Sequence, residues 1–386
     1  MPLTYLLLSP TFGMHQYTAD LANRMAAAGH DVRLVTTTAY PAGRYAPAVT
    51  VHTPVTTHGT GFSSSAVAGL PFLLRQLKTV NWKLSTVVHL TGPHLANLPL
   101  LLRLRRAGIP TLHTLHDLDP HPGTPYGPLL HIWNALIARS ATHILVHGRQ
   151  YEQQLAARIG PQRVSYTPLL HGFTGAQRPI ELYASQDEGP EGVGFALFFG
   201  RVEAYKGVGT LLQSALQLGG IRPAWRARGA MLGSAEMAAP WLVIAGQGDL
   251  DHVWSGPLPA GVAVRNRRIE DEEGIALFGG CAVVVLPYVQ ATQSALVAAA
   301  YAFGKPVIVT DTGALAEYVV PGETGWVIPP ADADALAGAL GEALSNPAEA
   351  RRRGHNGRAW FEARRREEWA ALQALYQKLA ASAPSY

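Results

Sequence analysis

Two cations in one short run could hold a diphosphate. Arg201 and Lys206 stand five residues apart in the run Phe199–Gly207, which includes Gly200. An apolar segment typical of a buried strand, Phe195 to Phe199, precedes the two cations, and a predicted helix follows them. A guanidinium binds two phosphate oxygens at once, and an ammonium supplies a compact point charge. The spacing favours a phosphate site, and a solvent-exposed loop with two ordinary charges is the alternative.

A second polar turn contains Gln293 and Ser294 and begins an alanine-rich helix. The continuous apolar run Ala282 to Leu286 predicts a strand that is buried on both faces. The segment Ser294 to Phe303 then has high helix propensity. Free backbone N–H groups at the start of such a helix favour an anion. An ordinary strand–helix unit without a ligand explains the pattern equally well.

Two isolated glycines also lie in predicted strand-to-helix loops. Gly13 lies in the loop Ser9 to His15, and Gly246 lies in the loop Ile244 to Asp249. A glycine lets a ligand approach the backbone closely, although a tight turn explains each of these two. Neither belongs to a Gly-x-Gly-x-x-Gly fingerprint.

One histidine is a candidate site residue in the first half of the chain. His116 follows a predicted strand and precedes Asp117, at the carboxyl end of the strand, where open sheets bind ligands. A structural histidine is the alternative. A metal cluster of His121 with Asp117 and Asp119 is not favoured, since the loop shows no evident ligand spacing. No metal site is predicted. Two further aspartate pairs are typical of turns and helix starts: Asp249–Asp251 and Asp332–Asp334.

The predicted strands and helices form two α/β series, each a doubly wound parallel sheet. The polar segment 175–192 separates them. We therefore predict an N-terminal domain at 1–174 and a C-terminal domain at 193–359. A C-terminal helix follows at 360–386.

Composition excludes several classes of protein. Apolar residues make up 48% of the 386 residues and charged residues 15%, so extensive disorder is not expected. The formal charge of +4 suits a phosphate-bearing ligand or an anionic membrane and argues against a nucleic-acid partner. The single cysteine, Cys281, excludes an internal disulfide and a cysteine zinc site.

The sequence predicts a cytoplasmic protein. The first apolar run, Pro2 to Ser9, is too short for a signal peptide, and no apolar stretch reaches spanning length. Arginines at 351–353 and 364–366 lie on a tail, Pro347 to Leu379, that is predicted to be helical. A solvated helix face explains them, and peripheral contact with the inner face of a membrane is the sharper alternative.

In order and spacing, these motifs resemble the retaining GT-B glycosyltransferases of family 4. Five segments carry the resemblance: AAAGHDVRLVT, GIPTLHTLHD, FGRVEAYKG, LVIAGQGDL and the run from VLPYVQATQSALV to GETGWVIPP. The resemblance implies two Rossmann-like domains that face each other across a cleft, and a C-terminal helix at 360–386 that crosses back to the N-terminal domain. It also implies a nucleoside-diphosphate-sugar donor, with UDP or GDP as the nucleotide, and a hydroxyl-bearing acceptor. The acceptor could be a polysaccharide, a glycolipid or a metabolite.

The resemblance also implies roles for single residues. His116 matches the family's cleft histidine, which contacts the transferred sugar. Arg201 and Lys206 match the pair that holds the donor diphosphate. Ser294 and its successors Ala295 and Leu296 match the helix start whose N–H groups bind the same phosphates. Gly13, Gly200, Gly246 and Gln293 complete the predicted donor-binding set.

The sequence departs from the family pattern at three places. Ala291 and Ala299 occupy the positions of the family's paired glutamates, which lie near the donor sugar and the ribose. Gln293 and Ser294 look like those of a variant branch with a Gln-Ser turn. The first-domain loop, Phe12 to His15, lacks the usual paired glycines. The phosphate side of the site therefore matches the family better than the sugar and ribose side.

The implied reaction retains configuration at the anomeric carbon and needs neither a cofactor nor a metal, because the two cations and the helix start stabilise the leaving diphosphate. Two alternatives remain. The lost glutamates suggest a non-catalytic GT-B protein that binds a nucleotide sugar or a partner chain. A nicotinamide-dependent oxidoreductase would also use Rossmann-like halves, but no Gly-x-Gly-x-x-Gly follows either first strand.

Overall fold

The computed structural model describes residues 1–9, 11–55, 64–118, 127–171, 194–219 and 240–382. The predicted linker 175–192 and the residues Asp119 and His121 lie outside these ranges. The chain divides into two compact units, Met1–Pro179 with Arg366–Tyr386, and Ile180–Arg365.

The first unit is built on a seven-stranded parallel sheet in the order β3-β2-β1-β4-β5-β6-β7. Its strands are β1 (Pro2–Leu7), β2 (Asp31–Thr37), β3 (Val49–Val55), β4 (Val87–Leu90), β5 (Thr111–Thr114), β6 (His143–Val146) and β7 (Val164–Tyr166). Its helices are α1 (Phe12–Ala27), α2 (Ser64–Leu77), α3 (Asn97–Arg106), α4 (Gly127–Ser140) and α5 (Arg149–Ile159). Every residue of β4, β5 and β6 is buried. The mainly apolar sequences of β4 and β6 fit this burial, whereas β5 buries two threonines and a histidine.

The strand order places the helices of this unit in two layers. The chain moves one way along the sheet from β1 to β3 and the opposite way from β4 to β7. Crossovers between parallel strands are right-handed, so reversing the direction moves the connecting helices to the other face. Accordingly, α1 covers one face, and α2 to α5 cover the other.

The second unit is built on a six-stranded parallel sheet in the order β10-β9-β8-β11-β12-β13. Its strands are β8 (Phe195–Phe199), β9 (Leu242–Ala245), β10 (Val262–Arg265), β11 (Cys281–Leu286), β12 (Val307–Thr310) and β13 (Gly325–Ile328). Its described helices are α6 (Val208–Leu218), α7 (Leu250–Val253), α8 (Asp271–Gly280), α9 (Ala295–Ala302) and α10 (Ala333–Ser345), and α11 (Pro347–Ala381) begins here and ends in the first unit.

The expectation of two doubly wound α/β units is confirmed, with one correction near the first loop. Helix α1 begins at Phe12, so Gly13 lies in its first turn and not in a loop. The start is fixed because the N–H groups of Met14 and His15 both donate to the Thr11 carbonyl, at 3.1 and 3.2 Å. The sequence analysis also did not identify α4, α5 or β13. Strand β13 is short and begins with a glycine, and α4 has almost no charged residues to mark its outer face.

Candidate active site

The turn after β8 brings a lysine onto a glycine. Gly200 has a positive φ of 128°, which favours glycine. A Cβ built on Gly200 would lie 2.9 Å from Lys206 Nζ and 3.9 Å from Leu296 Cδ1. The half-buried Lys206 ammonium thus rests directly over the Gly200 backbone, 5.4 Å from the centroid of the Tyr288 ring. Lys206 is therefore held close to the first turn of α9.

Arg201 lies in a different environment from Lys206. Its side chain is 70% exposed, and its guanidinium forms an ion pair with Glu203 at 2.5 Å. An exposed ion pair contributes about 1 kcal/mol or less, so Arg201 can exchange Glu203 for an anionic ligand at little cost. The two cations predicted as a pair therefore differ: Lys206 is half-buried and held in place, whereas Arg201 is exposed and can change its partner.

Three glycines allow close backbone contacts among the loops that follow β8, β9, β11 and β12. An added Cβ on Gly246 would overlap the Gly200 carbonyl oxygen, and one on Gly207 would overlap the Pro287 carbonyl oxygen. Gly313 is packed in the same way against the Ala291 carbonyl. These close backbone contacts make the carboxyl edge of the second sheet a rigid frame for ligands.

Ser294 begins α9 as predicted. Its side chain caps the helix by accepting a hydrogen bond from the Leu296 N–H at 3.3 Å. The preceding Gln293 presents a buried amide oxygen that has no hydrogen-bond partner among the described residues. A buried acceptor of this kind costs about 1–3 kcal/mol unless it is satisfied. The turn therefore combines a helix N-terminus with an acceptor that a hydroxyl ligand could satisfy.

The two positions that depart from the family are buried beside this turn. Ala291 and Ala299 are 7% and 3% exposed. Alanine at both places leaves the turn without a carboxylate, so any sugar or ribose recognition here must use other groups.

In the first unit, His116 follows the carboxyl end of β5 by two residues, and it is 7% exposed. Its Nε2 lies 2.9 Å from the Thr91 carbonyl oxygen, so Nε2 carries the proton. Burial lowers the pKa of His116 below its usual value, against smaller opposing contributions from the Thr91 carbonyl and Asp117. The imidazole is therefore neutral near pH 7, and Nδ1 is a hydrogen-bond acceptor.

Aromatic side chains surround His116. The Tyr17 ring packs edge-on against it, with centroids 4.9 Å apart, and the His147 ring lies 5.3 Å away. Sequence reasoning missed Tyr17 and His147. For His147 a signal was present, because it follows β6 much as His116 follows the neighbouring strand β5.

A hydrogen-bonded chain links this cluster to α11. Tyr17 Oη lies 3.1 Å from Thr114 Oγ1, which lies 2.8 Å from His89 Nε2. His89 Nδ1 in turn lies 2.7 Å from the Tyr376 hydroxyl. These buried hydrogen bonds thus connect Tyr17, which packs against His116, with Tyr376 in α11.

Other polar residues at the candidate positions have structural roles, and Gly13 has no close neighbour. His113, which is on β5 and is not a predicted site residue, contacts the Asn97 side chain at 3.0 Å, and burial lowers its pKa to about 3, as in a structural histidine. A Cβ on Gly13 would meet no atom within 4 Å. Asp249 and Asp332 cap α7 and α10, accepting from the N–H groups of His252 and Ala335. Within the described ranges, no group of three or more potential ligands is placed to hold a metal.

Comparison with known families identifies the chain. Residues 12–169 match the model of the Glycosyl transferase 4-like domain, and residues 195–346 match that of Glycosyl transferases group 1. The chain belongs to the group 1 glycosyltransferases. The first match covers most of the first unit, and the second covers the strands and turns that carry Lys206 and Ser294.

Two curated relatives align with part of this glycosyltransferase. MMP alpha-(1->4)-mannosyltransferase of Mycolicibacterium hassiacum is 40% identical over 91 residues, which is 23% of this chain and 22% of that protein. Glycogen synthase of Mycobacterium tuberculosis is 24% identical over 254 residues, 64% of this chain and 57% of that protein. The chain thus spans less than two thirds of the length of either relative.

Solved structures share the fold over the whole chain. Sucrose-phosphate synthase from Thermosynechococcus elongatus has a TM-score of 0.75 at 21% identity, covering 99% of this chain and 100% of that one. HepE of Anabaena in complex with UDP has a TM-score of 0.67 at 14% identity, covering 98% and 100%. The glycosyltransferase therefore has the GT-B fold. Of the helices described, none has the length and apolar character needed to cross a bilayer.

Proposed function

We propose that this glycosyltransferase moves a sugar from a nucleoside-diphosphate donor to a hydroxyl acceptor, with retention at the anomeric carbon. The observation that carries the proposal is the placement of Lys206 Nζ over the Gly200 backbone, beside the first turn of α9. A compact cation and a helix N-terminus at the same strand ends form a site for a diphosphate.

The same groups would promote departure of the diphosphate. As the bond from the anomeric carbon to the phosphate oxygen breaks, negative charge accumulates on that oxygen. Lys206, Arg201 and the N–H groups of the first turn of α9 stabilise it, which lowers the barrier. The acceptor oxygen then bonds to the anomeric carbon on the face that the diphosphate leaves, and its proton passes to the leaving phosphate. We propose that these groups suffice without a metal.

Two further residues would recognise the sugar. His116, neutral and with a free lone pair on Nδ1, accepts a hydrogen bond from a sugar hydroxyl and orients the sugar without attacking it. The Gln293 amide oxygen accepts a hydrogen bond from another sugar hydroxyl. Its buried oxygen has no partner among the described residues, and alanine at 291 and 299 supplies no carboxylate for this role.

The donor nucleotide is proposed to be UDP. HepE of Anabaena, which shares the fold, has been solved with UDP and with UDP-glucose. GDP, ADP and NAD are the comparison ligands, and NAD tests the oxidoreductase alternative directly.

Calorimetry on Lys206→Met, Arg201→Met and the exposed control Arg351→Gln tests the phosphate site. We expect UDP binding to weaken by about 10- to 100-fold for Lys206→Met, because a charged hydrogen bond is lost in a half-buried place. Arg201→Met should weaken it less, and the control should not change it. Unchanged UDP affinity in both variants, with wild-type melting temperatures, would remove the proposed phosphate site.

Product analysis separates an enzyme from a binding protein. NMR of the product formed from UDP-sugars and candidate acceptors should show the anomeric configuration of the donor, and EDTA should leave the rate unchanged. Inverted product would refute retention. Tight donor binding without transfer or donor hydrolysis would favour the non-catalytic alternative, which the missing carboxylates at 291 and 299 motivate.

A further inference from the structure

Charge is unevenly distributed along this chain. Residues 1–171 contain 13 lysines and arginines against 5 aspartates and glutamates, whereas the remainder contains 18 against 22. No acidic residue occurs between Asp31 and Asp117. This acid-free segment includes α2 and α3 in full, and α4 has no acidic residue either.

These three helices belong to one layer on the same face of the sheet. They connect β3 to β4, β4 to β5 and β5 to β6, and all three crossovers run in the same direction along the sheet. Right-handed crossovers place all three on one face, with α2 packed against the edge strand β3. Helices α3 and α4 pack directly against each other.

The outer faces of these helices are apolar. On α4, Leu129, Ile132 and Leu136 are 62%, 60% and 41% exposed and follow the i, i+3, i+7 spacing of one helix face. On α2, Val67 and Phe72 are 58% and 63% exposed. Leu102 of α3 is 39% exposed. Of the large exposed apolar side chains in the described part of the chain, more than half belong to this one layer.

Cations border this apolar layer. Six are exposed and form no ion pair within the described ranges: Arg75, Lys78, Arg103, Arg105, Arg106 and Arg139. Arg163 also donates to the carbonyls of Ala138, Arg139 and Ala141 at the end of α4, so a further cation holds that helix end in place. An apolar stripe flanked by cations and lacking acids is typical of helices that lie at a bilayer surface.

The arginines of α11 are less suited to bind a membrane than the cations of the first unit. Arg352 and Arg353 both pair with Glu349, and Arg358 pairs with Glu362. Their charge is therefore largely balanced on the helix itself. The membrane contact that the sequence suggested for this helix has better support in the first unit.

We propose that the outer layer of α2, α3 and α4 is a docking surface for an anionic lipid bilayer. The apolar side chains enter the boundary between headgroups and acyl chains, while the arginines and lysines bind headgroup phosphates. A nucleic acid would leave the apolar stripe in water, because its phosphates would contact only the cations. Binding by another protein is left as an outcome of the test. The surface goes beyond the proposed sugar transfer, and it brings the protein to acceptors that are anchored in or near a membrane.

Vesicle co-sedimentation of the full chain tests this surface. We expect binding to vesicles of phosphatidylcholine with about 30% phosphatidylglycerol, little binding to phosphatidylcholine alone, and weakening with added salt. One variant replaces Leu129, Ile132 and Leu136 with Gln, and the other replaces Arg103, Arg105 and Arg106 with Gln. Each arginine near the surface contributes about 1 kcal/mol, or about a fivefold gain in partitioning, so the second variant should bind roughly 100-fold less.

Two matched variants serve as controls. Leu216→Gln with Leu258→Gln removes exposed apolar residues from the second unit, and Arg351→Gln with Arg366→Gln removes exposed cations from the C-terminal helix. Both should bind vesicles as the wild type does. UDP binding and the melting temperature show that each variant is folded and leave the proposed sugar transfer separately testable.

Three results would overturn the proposal: no vesicle binding by the wild type, equal loss in the controls, or no loss in either surface variant. Sedimentation equilibrium adds a further arm. If the wild type is a dimer and only the leucine and isoleucine variant is a monomer, the layer is an interface between two copies and not a membrane surface.

Discussion

At the scale of single residues, two cations of equal charge have unequal roles. Lys206 is half-buried and fixed over Gly200, whereas Arg201 is exposed and paired with Glu203. Residue types and spacing predicted both as phosphate ligands. Their different environments depend on the positive φ of Gly200, which turns the backbone beneath the lysine.

A glycine that joins two loops gives the first prediction. Gly207→Ala should lower the free energy of unfolding by more than 1 kcal/mol, since φ is +70° and the new Cβ would overlap the Pro287 carbonyl. UDP binding should weaken as well, because the turn holds Lys206. Urea denaturation and calorimetry measure the two effects.

Gly338→Ala on α10 is the matched control. Its Cβ would meet no atom within 4 Å, so helix propensity should stabilise the protein by about 0.5–1 kcal/mol. Equal effects of the two alanines would contradict the packing assigned to Gly207.

At the scale of elements, two helix caps look alike but lie in different places. Ser294 caps α9 at the proposed phosphate site, and Asp332 caps α10. Each replacement by alanine should cost about 0.5–2 kcal/mol of stability. Only Ser294→Ala should also weaken UDP binding, because the start of α9 belongs to the proposed phosphate site. A matching loss in Asp332→Ala would show that UDP affinity follows stability alone.

The end of α11 is fixed to the first sheet by a buried polar contact. Tyr376→Phe removes the partner of His89 Nδ1, at 2.7 Å, and of the Tyr5 hydroxyl, at 3.1 Å. Leaving buried polar groups without a partner should lower the free energy of unfolding by about 1–3 kcal/mol. Denaturation of Tyr376→Phe, His89→Leu and the double variant measures the coupling. Additive losses would show that the two residues act independently.

At the scale of the whole molecule, buried histidines make the first unit sensitive to acid. Burial is the main cause that lowers the pKa of seven of them: His15, His89, His94, His113, His116, His143 and His147. For His15, His94 and His143 the pKa falls to about 4. The unfolded chain therefore binds more protons than the folded chain between pH 6.5 and about 4.

Stability should consequently fall as the pH drops below 6.5 and should level off below the folded pKa values. Each histidine contributes a slope of about 1.4 kcal/mol per pH unit in that range. Hydrogen exchange followed by mass spectrometry should show peptides of the first unit losing protection first. His143→Gln should reduce the slope by about one proton, whereas the exposed His355→Gln should not. Simultaneous loss of protection in both units would contradict this assignment.

How far the sequence predicts the site differs between the two units. In the second unit, the apolar run of β11, the Ser294 cap and the spacing of Arg201 from Lys206 are all local in the chain, and the predicted strand and helix bounds lie within one or two residues of those found. In the first unit, His116 was identified but Tyr17 and His147 were not. Tyr17 lies in α1, whereas His116 and His147 follow β5 and β6, so the three residues meet only when the sheet forms.

The sequence by itself determined the two doubly wound sheets and the family, because buried parallel strands and their turns leave continuous, local patterns. The tertiary structure decided the rest. It placed Lys206 over Gly200, fixed the proton of His116 on Nε2 through Thr91, and left the outer faces of α2 to α4 apolar and flanked by cations. Each of these features depends on which distant segments share a face or a hydrogen bond. The run Phe199–Gly207 thus showed that an anion could bind, while packing around Gly200 decided which cation is held in place.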